Sequence, residues 1–255
     1  MIISQTPLRF SFAGGGTDIP SFYKNNNYGL CINSTINNHI YVTINKQSKL
    51  YNENYRLNYS ETELVRDIDN IKNPIIKGCL KFLNIEERLY ISTTSDVPAA
   101  SGLGTSSAFC VGLLNAMYKF MGKNASPGKL AEEASHIEIN LLKRPVGKQD
   151  HYSAAYGGLN IIKFLSNEKV QIKKIFLSKK KINQLNNSFV SFWTGVTRNS
   201  AIILKKQNQN TNKNIDALIK LRNQVLVVNK ILNNKNINFN HFGKIMDDGW
   251  YLKKN

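Results

Sequence analysis

The stretch of sequence that decides the fold lies at residues 95–108 and reads Ser95-Asp96-Val97-Pro98-Ala99-Ala100-Ser101-Gly102-Leu103-Gly104-Thr105-Ser106-Ser107-Ala108. Its small residues and its two glycines predict the end of a strand, a loop and the first turn of a helix. A helix start offers backbone N–H groups that have no partner within the helix, and small side chains let an anion approach them closely. The stretch therefore predicts a phosphate-binding loop. A helix start without a ligand is the alternative.

Two familiar phosphate-binding motifs do not match this loop. A Walker-type loop requires a lysine after its last glycine, and Thr105 follows Gly104 instead. A dinucleotide-binding loop requires a third glycine where Ser107 stands, and an acidic residue about twenty positions further on, where the chain has Asn124. A phosphate-binding role would therefore place the loop in a different class from both.

Composition and charge limit the class of protein. The 255 residues are 42% hydrophobic, which is enough for one large domain or two small ones with proper cores. The net charge is +17, but residues 1–162 carry only +3 of it and residues 163–255 carry +14. This excess is mainly lysine with few aromatic residues between, which fits a solvated surface about as well as an RNA-binding face. We expect no nucleic-acid partner, and a basic RNA-binding protein is kept as an alternative.

The cysteines and the N-terminus indicate a compartment. An odd number of cysteines without C-x-x-C spacing predicts buried thiols in a reducing compartment: Cys31, Cys79 and Cys110. The first residues lack the features of a secretory signal, and no apolar run approaches about 18 residues. We expect a soluble, cytoplasmic protein with no membrane partner.

The hydrophobic pattern predicts the order of helices and strands. Four strands are predicted before residue 170, at residues 8–13, 30–46, 88–96 and 158–164. One helix is predicted from Ser106 to about Met121, and a second begins after the N-cap Ser126 and stops before Pro145. After residue 175 the pattern predicts a strand at residues 189–194 and helices at residues 198–207, 212–233 and 239–254. This order predicts an α+β architecture with two domains, at residues 1–175 and 176–255.

The first strand carries a candidate functional residue. It lies in the run Pro7-Leu8-Arg9-Phe10-Ser11-Phe12-Ala13-Gly14-Gly15-Gly16-Thr17-Asp18. Alternation places Arg9 opposite an apolar face formed by Leu8, Phe10 and Phe12. A fixed arginine beside a site would suit the negative charge of a phosphoryl group in transfer. A solvated strand arginine is the alternative.

Two carboxylates follow the phosphate loop in the sequence. Glu138 lies beside the apolar stripe of the second helix, and a buried carboxylate needs a cationic partner, either Mg²⁺ or an internal lysine. Asp150 ends the run Val146-Gly147-Lys148-Gln149-Asp150 just after that helix, where a turn or capping role is the alternative to a catalytic one. Spacing alone leaves these alternatives open.

Taken together, these motifs resemble those of the GHMP kinases (galacto-, homoserine, mevalonate and phosphomevalonate kinases). The resemblance rests on Pro-x-x-x-Gly-Leu-Gly-x-Ser-Ser-Ala at residues 98–108 and on Glu138 standing twelve residues before Asp150. It also rests on the Gly-Lys-Gln-Asp run, which is followed by His151 where the family usually has glutamine. The implied fold is the α+β GHMP kinase two-domain fold. Its N-terminal domain would be ribosomal protein S5 domain 2-like, and its C-terminal domain an incomplete ferredoxin-like one.

The resemblance implies a role for each candidate around ATP. Residues 98–107 would bind ATP, and Ser106 would bind Mg²⁺ together with Glu138. Ser107 is the second choice for the metal-binding hydroxyl, because Thr105 stands where the family usually has the first serine of its motif. Asp150 would orient and deprotonate the attacking sugar hydroxyl.

The resemblance also implies a sugar-binding side. Arg9 would lie near the phosphates, and Asp18 would hold sugar hydroxyls. Lys148 would either favour the ionised form of Asp150 or contact phosphate. The residues that would shape the sugar pocket are Gly14, Gly15, Gly16 and Thr17.

The acceptor is suggested by three runs, at residues 13–22, 147–150 and 192–198. They are most similar to those of D-glycero-D-manno-heptose 7-phosphate kinases, with fucose kinases as the nearest competitor. This implies ATP-dependent phosphorylation of the 1-hydroxyl of a heptose 7-phosphate, on the route to a nucleotide-activated heptose for surface polysaccharide. Thr194 and Arg198 would lie on the substrate side. The oligomeric state stays open, with a homo-oligomer as one option.

One element of the family is not found in the sequence. GHMP kinases carry a third, glycine-rich motif near the C-terminus, whereas the only glycines after Gly158 are Gly195, Gly243 and Gly249. We therefore expect the chain to be truncated at its C-terminus relative to the family. A non-catalytic nucleotide-binding fragment is the alternative from another functional class.

Overall fold

The computed structural model describes residues 1–195 and 214–254. The strands of these residues are β1 Ile2–Ala13, β2 Tyr28–Lys46, β3 Tyr55–Asn58, β4 Thr62–Val65, β5 Leu89–Ser95, β6 Leu159–Leu165 and β7 Val170–Lys174. Their helices are α1 Pro20–Tyr23, α2 Pro74–Leu83, α3 Thr105–Phe120, α4 Pro127–Ser135, α5 Gln149–Tyr156, α6 Lys179–Ser188, α7 Ile215–Asn233 and α8 Phe239–Lys254. The predicted α+β class is confirmed.

The chain forms two compact units that interleave along the sequence. Unit 1 comprises Met1–Arg9, Ile36–Val146 and Asp150–Tyr156, and unit 2 comprises Phe10–Thr35, Gly147–Gln149 and the described part of the chain from Gly157. The units interleave because β1 and β2 each contribute residues to both. Their limits differ from those of the predicted domains, at residues 1–175 and 176–255. The predicted division into these two domains stays a prediction.

Unit 1 has the strand order β4-β3-β5-β2. Strand β5 pairs antiparallel with β2, where Ile40 lies opposite Ser95, and pairs parallel with β3. Helix α3 is apolar around most of its circumference and therefore lies buried, as a helix of this kind requires. It belongs to the unit's hydrophobic core with α2, α4 and the sheet; buried members include Leu8, Val42, Ile91, Cys110, Leu113 and Ile137.

Helices α2 and α4 each begin after a residue whose side chain caps the helix. The Asn73 side chain accepts hydrogen bonds from the N–H groups of Ile75 and Ile76, both at 3.1 Å. The Ser126 hydroxyl accepts from the N–H of Lys129 at 3.2 Å, and proline follows both cap residues. The predicted N-cap at Ser126 is therefore confirmed.

The start of α2 is also held by a buried carboxylate. Glu63 accepts hydrogen bonds from the backbone N–H groups of Lys72 at 2.6 Å and Asn73 at 3.0 Å. It also accepts from the Tyr59 hydroxyl at 2.7 Å. Burial alone would raise the pKa of Glu63, but these hydrogen bonds outweigh it and leave the pKa below its ordinary value.

Helix α4 continues into a π-helical turn at His136–Leu141. Its wider hydrogen bonding is seen where the N–H of Leu142 donates to the carbonyl oxygen of Ile137, five residues back, at 2.9 Å. Such turns insert one extra residue into a helix and often occur at functional sites. Glu138 lies within this turn.

Unit 2 has the strand order β2-β6-β7, with Tyr28 opposite Leu165 and Ser34 opposite Leu159. Helices α7 and α8 pack in its core with these strands; core members include Phe12, Ile32, Ile161, Val225 and Phe242. The helices predicted at residues 212–233 and 239–254 are confirmed within a few residues.

The hydrophobic pattern of the sequence does not predict the structure near the end of the first described range, residues 1–195. The strand predicted at residues 189–194 is wrong, because these residues adopt no regular structure. Phe189 packs instead against Phe12, with ring centroids 5.5 Å apart, and against Phe242 at the same separation. The helix predicted at residues 198–207 lies outside the described residues.

The three cysteines are buried, as predicted, and form no disulfide. Two of them, Cys79 and Cys110, approach each other to 3.9 Å between their sulfur atoms. Within residues 1–195 and 214–254, no helix has both the length and the apolar character needed to cross a bilayer.

Candidate active site

The predicted phosphate loop connects β5 to α3 in unit 1. Its first residues are anchored by Asp96, whose carboxylate accepts from the N–H of His39 at 2.7 Å and whose N–H donates to the His39 carbonyl at 3.0 Å. Ala100, Gly102 and Gly104 have positive φ angles of 60°, 80° and 78°. Gly104 is the N-cap of α3 and provides no capping side chain, so the first N–H groups of α3 are available to an anion.

Position 104 requires glycine because side chains approach it closely and because its φ angle is positive. A Cβ atom at this position would lie 3.2 Å from Oδ2 of Asp150 and 3.5 Å from Cζ of Arg9. A side chain here would therefore press on both groups and strain the left-handed backbone. The loop, Arg9 and Asp150 thus meet at one point of unit 1.

Arg9 and Asp150 form a two-point ion pair. Nε of Arg9 donates to Oδ1 of Asp150 at 2.7 Å, and Nη2 donates to Oδ2 at 2.6 Å. The remaining nitrogen, Nη1, donates to the carbonyl oxygen of Gly102 at 2.9 Å, and the backbone N–H of Arg9 donates to Leu103 at 3.2 Å. Arg9 therefore holds the Asp150 carboxylate against the phosphate loop. Its predicted contact with phosphate stays a prediction.

Glu138 is fully buried and bound on both oxygens. Oε1 accepts from the Ser106 hydroxyl at 2.7 Å and from Nη1 of Arg144. Oε2 lies 2.8 Å from Nε2 of His151, which is also fully buried. Nη1 of Arg144 in addition lies 2.6 Å from the Ser106 hydroxyl, so one guanidinium nitrogen contacts both residues.

The charge of Glu138 is fixed by these partners. Burial alone would raise the pKa of Glu138, but the hydrogen bond and charge of His151, the Arg144 guanidinium and the Ser106 hydroxyl lower it to about 2. Glu138 is therefore ionised at neutral pH and can only accept hydrogen bonds, so Nε2 of His151 donates. Nδ1 of the same ring is buried and has no hydrogen-bond partner among residues 1–195 and 214–254.

The donor atoms at Glu138 have the chemistry that Mg²⁺ requires. Mg²⁺ prefers hard oxygen ligands and is usually bound by one or two carboxylates together with substrate phosphates. Ser106 and Glu138 supply a hydroxyl and a carboxylate 2.7 Å apart. Of the two candidate hydroxyls, that of Ser106 contacts Glu138. The sequence left the partner of Glu138 open between Mg²⁺ and an internal lysine, and the internal cation in contact with it is Arg144.

Unit 2 holds the glycine loop that precedes Asp18. Asp18 is buried, and its carboxylate accepts from the N–H groups of Gly16 at 3.0 Å and Gln149 at 3.1 Å. Its carbonyl oxygen accepts from the N–H of Lys148 at 3.2 Å. A Cβ at Gly147 would lie 1.9 Å from Oδ2 of Asp18, so only glycine fits there. Asp18 therefore fixes the backbone just before Asp150, and its predicted contact with sugar hydroxyls stays a prediction.

Thr17 and Gly15 shape the same loop. The Thr17 hydroxyl is buried between the carbonyl oxygens of Gly14 at 2.8 Å and Leu30 at 2.9 Å. A Cβ at Gly15 would lie 3.2 Å from Nζ of Lys253, so the small residue lets a basic side chain approach the loop.

The remaining predicted residues are Lys148, Thr194 and Arg198. Nζ of Lys148 lies 3.9 Å from the Glu168 carboxylate and 5.6 Å from the centre of the Tyr23 ring. Thr194 is exposed. Arg198 lies outside the described residues.

The sequence interpretation assigned no role to several residues that contact the site groups. Arg144 and His151 hold Glu138, and Gln149 and Ser11 are joined by a hydrogen bond of 3.0 Å from the Ser11 hydroxyl to the Gln149 side chain. Arg144 follows Glu138 by only six residues and could have been proposed as its internal cation. No sequence signal identifies the contact of Ser11 with Gln149, which are 138 residues apart.

Comparisons with known proteins identify the proteins that this chain resembles. Residues 73–158 match the family model for the GHMP kinases N terminal domain. This range includes the phosphate loop, Ser106, Glu138 and Asp150. The predicted resemblance to GHMP kinases is confirmed.

Individual relatives extend the match beyond that range. The chain is 28% identical to the D-glycero-alpha-D-manno-heptose 7-phosphate kinase of Campylobacter jejuni subsp. jejuni serotype O:2, over 99% of the chain and 77% of the relative. It is 27% identical to a Pyrococcus furiosus galactokinase, over 78% of the chain and 55% of the relative. The crystal structure of a D-glycero-D-manno-heptose 1-phosphate kinase from Bacteroides thetaiotaomicron superposes with a TM-score of 0.80 at 27% identity, over 100% of the chain and 79% of that structure.

Proposed function

The chain belongs to the GHMP kinase family, and we propose that it transfers the γ-phosphoryl group of ATP to the 1-hydroxyl of a D-glycero-D-manno-heptose 7-phosphate. The observation that carries the proposal is the cluster in unit 1 in which Arg9 and Asp150 meet the loop before α3 and Ser106 meets Glu138. That cluster would supply N–H groups for an anion, an oxygen pair for a metal and a carboxylate for the acceptor.

The choice of acceptor rests on similarity to heptose phosphate kinases along almost the whole chain. The two relatives differ in their names, since one is a 7-phosphate kinase and the other a 1-phosphate kinase. We propose the 7-phosphate as acceptor because the relative with that name matches 99% of the chain in sequence. Fucose or another sugar is the alternative acceptor.

Phosphoryl transfer requires positioning and charge stabilisation more than covalent chemistry by the protein. The N–H groups at the start of α3 would hold the ATP phosphates. Mg²⁺, when bound with ATP, would neutralise charge on the phosphate oxygens, and Ser106 and Glu138 would hold it. The two hydrogen bonds from Arg9 hold Asp150 in one orientation. Each carboxylate oxygen can accept more than one hydrogen bond, so Asp150 can still accept one from a sugar hydroxyl.

In the proposed reaction, the bond from the γ-phosphorus to the bridging oxygen of ADP breaks. A bond from that phosphorus to O1 of the sugar forms, and the proton of the 1-hydroxyl passes to the Asp150 carboxylate. The products would be ADP and the heptose 1,7-bisphosphate. We also propose that this takes place in the cytoplasm, because cysteines that form no disulfide are typical of a reducing compartment that holds ATP.

The test is the reaction of the purified chain with ATP and Mg²⁺. ADP release is measured against heptose 7-phosphate, unphosphorylated heptose, fucose and galactose, and ³¹P NMR locates the new phosphate. We expect turnover with heptose 7-phosphate and a signal at the anomeric position. Turnover with fucose alone would select the alternative acceptor.

Asp150→Asn separates catalysis from nucleotide binding. It keeps an oxygen and the size of the side chain but removes the carboxylate charge, so we expect kcat to fall by about 10²–10⁴-fold while ATP binding changes little. Unchanged turnover would contradict the role of Asp150. Nucleotide binding by the native chain without turnover on any sugar would favour a non-catalytic nucleotide-binding protein.

A further inference from the structure

The contacts of Arg144 carry a consequence for metal binding. Its Nη1 contacts the two oxygen atoms that form the proposed metal site, at 2.6 Å from the Ser106 hydroxyl and in an ion pair with Oε1 of Glu138. The fully buried Glu138 carboxylate carries a charge that needs compensation in the absence of a metal. Arg144 supplies that compensation.

A divalent cation and the guanidinium cannot contact the same two oxygens at the same time. The oxygens lie only 2.7 Å apart, Oε1 already accepts hydrogen bonds from both Ser106 and Arg144, and two cations at the same oxygen pair would repel each other. Oε2 of Glu138 offers no substitute, because it faces the buried ring of His151. Metal binding at this pair therefore requires Arg144 to leave it.

Arg144 is able to leave. Its side chain is 28% exposed, whereas those of Glu138 and His151 are fully buried. It follows the π-helical turn and precedes Pro145, so it lies outside the regular helix. A partly exposed arginine can move its charged group into water with little change to the packing around its stem.

We propose that Arg144 is an internal competitor for the divalent cation at Ser106 and Glu138. It holds the buried carboxylate in the metal-free protein and raises the metal concentration needed for nucleotide binding. The inference rests on the metal–nucleotide part of the proposed function. A charge-assisted hydrogen bond to an ionised group is strong enough to shift such an equilibrium by about tenfold, because only the open fraction binds the metal.

The experiment measures metal binding without catalysis. Mn²⁺ is titrated into the full chain in the presence of a non-hydrolysable ATP analogue, with bound Mn²⁺ read by electron paramagnetic resonance. Calorimetry with Mg²⁺ and the same analogue gives a second reading. We expect Arg144→Gln to lower the Mn²⁺ midpoint about tenfold. A midpoint that is unchanged or higher would overturn the competition.

Two further variants separate competition from a general charge effect. Lys143→Asn removes the same formal charge from the exposed neighbour, and asparagine tolerates the positive φ of 52° there, so its midpoint should stay within about twofold of the native one. In a Glu138→Gln background, Arg144→Gln should no longer lower the midpoint. An equal decrease in that background would overturn the assignment to Glu138.

A folding defect and a failure of the proposed function can each be distinguished from a failure of the competition. If Arg144→Gln melts below the assay temperature, Arg144→Lys is measured instead. Lysine lacks the planar guanidinium, so it should lower the Mn²⁺ midpoint by a smaller factor of about threefold. A native midpoint in Arg144→Lys would then overturn the proposal. If the native chain shows no metal-dependent nucleotide binding, both proposals are overturned. If it binds nucleotide with metal but has no kinase activity, only the kinase function is contradicted.

Discussion

Replacing Arg9 by lysine tests whether the geometry of the pair with Asp150, and not only its charge, is needed. Lysine keeps the positive charge but offers a single nitrogen in place of a planar fork. Arg9 makes three side-chain hydrogen bonds: two to Asp150, at 2.7 and 2.6 Å, and one to Gly102, at 2.9 Å. A lysine ammonium could retain one of the two bonds to Asp150.

The size of the effect follows from the one hydrogen bond to Asp150 that would be lost; the other lost bond joins Arg9 to the carbonyl of Gly102. Hydrogen bonds to charged groups contribute about 1.5–3 kcal/mol each, and solvent reduces this where the pair is partly exposed. The side chains of Arg9 and Asp150 are 12% and 22% exposed, so only a moderate reduction applies. We expect a net loss of about 1.5–3 kcal/mol in the orientation of Asp150, which corresponds to a decrease in kcat of about 10–100-fold.

The assay is steady-state kcat and KM on the acceptor identified by the ADP-release screen, with the melting temperature measured in parallel. The KM for ATP should change by less than about threefold, because the variant keeps the backbone N–H at position 9 that contacts Leu103, and the N–H groups of α3 belong to the helix backbone. Arg56→Lys is the matched control, since Arg56 belongs to the same unit and lies against Tyr90. A native kcat in a folded Arg9→Lys variant would refute the positioning role of Arg9.

Two further predictions concern stability. The pKa of Glu63 is lower in the folded protein than its ordinary value of 4.5, so its ionised form stabilises the fold above that pH and the contribution is lost as the pH falls below it. Glu63→Gln should therefore lower the free energy of unfolding by about 1–3 kcal/mol at pH 7, with a smaller difference from the native protein below pH 4, as measured by urea denaturation. The exposed Glu61→Gln should show neither effect, and a pH-independent difference for Glu63→Gln would contradict the reasoning. Asn73→Ala removes two capping hydrogen bonds and should cost about 1 kcal/mol, or about 2–4 °C in melting temperature by calorimetry, whereas Asn73→Ser should retain most of the stability. Equal melting temperatures for the two Asn73 variants would contradict a capping role.

Local features of the fold could be predicted because short-range chemistry determines them. Ser126 followed by proline marks the start of α4, and the loop of small residues marks the start of α3, which begins at Thr105 rather than Ser106. The strand predicted at residues 189–194 was wrong because hydrophobic residues there serve tertiary contacts, as Phe189 does against Phe12. A pattern of apolar residues cannot distinguish these two uses over so few positions.

The site could be predicted in part, because the motifs identify residue types but not their partners. The spacing of Glu138 and Asp150 along the sequence is enough to single out two candidate carboxylates. The pairing of Arg9 with Asp150 spans 141 positions of sequence and depends on how β1 packs beside the phosphate loop. The partner of Glu138 was restricted to a cation by electrostatics, but only the path of the chain after the π-helical turn determines that it is Arg144.

That π-helical turn makes the position of Glu138 depend on the number of residues as well as on their identity. Removing one residue from His136–Leu141 would allow a regular α-helix, in which each residue turns about 100° around the axis. If the deleted residue preceded Glu138, Glu138 would rotate relative to α4, and its approach to Ser106 would be lost although both residues were still present. Alignments of related chains should therefore allow a one-residue gap in this segment, and a relative that retains the glutamate but lacks the extra residue would not be expected to form the same oxygen pair.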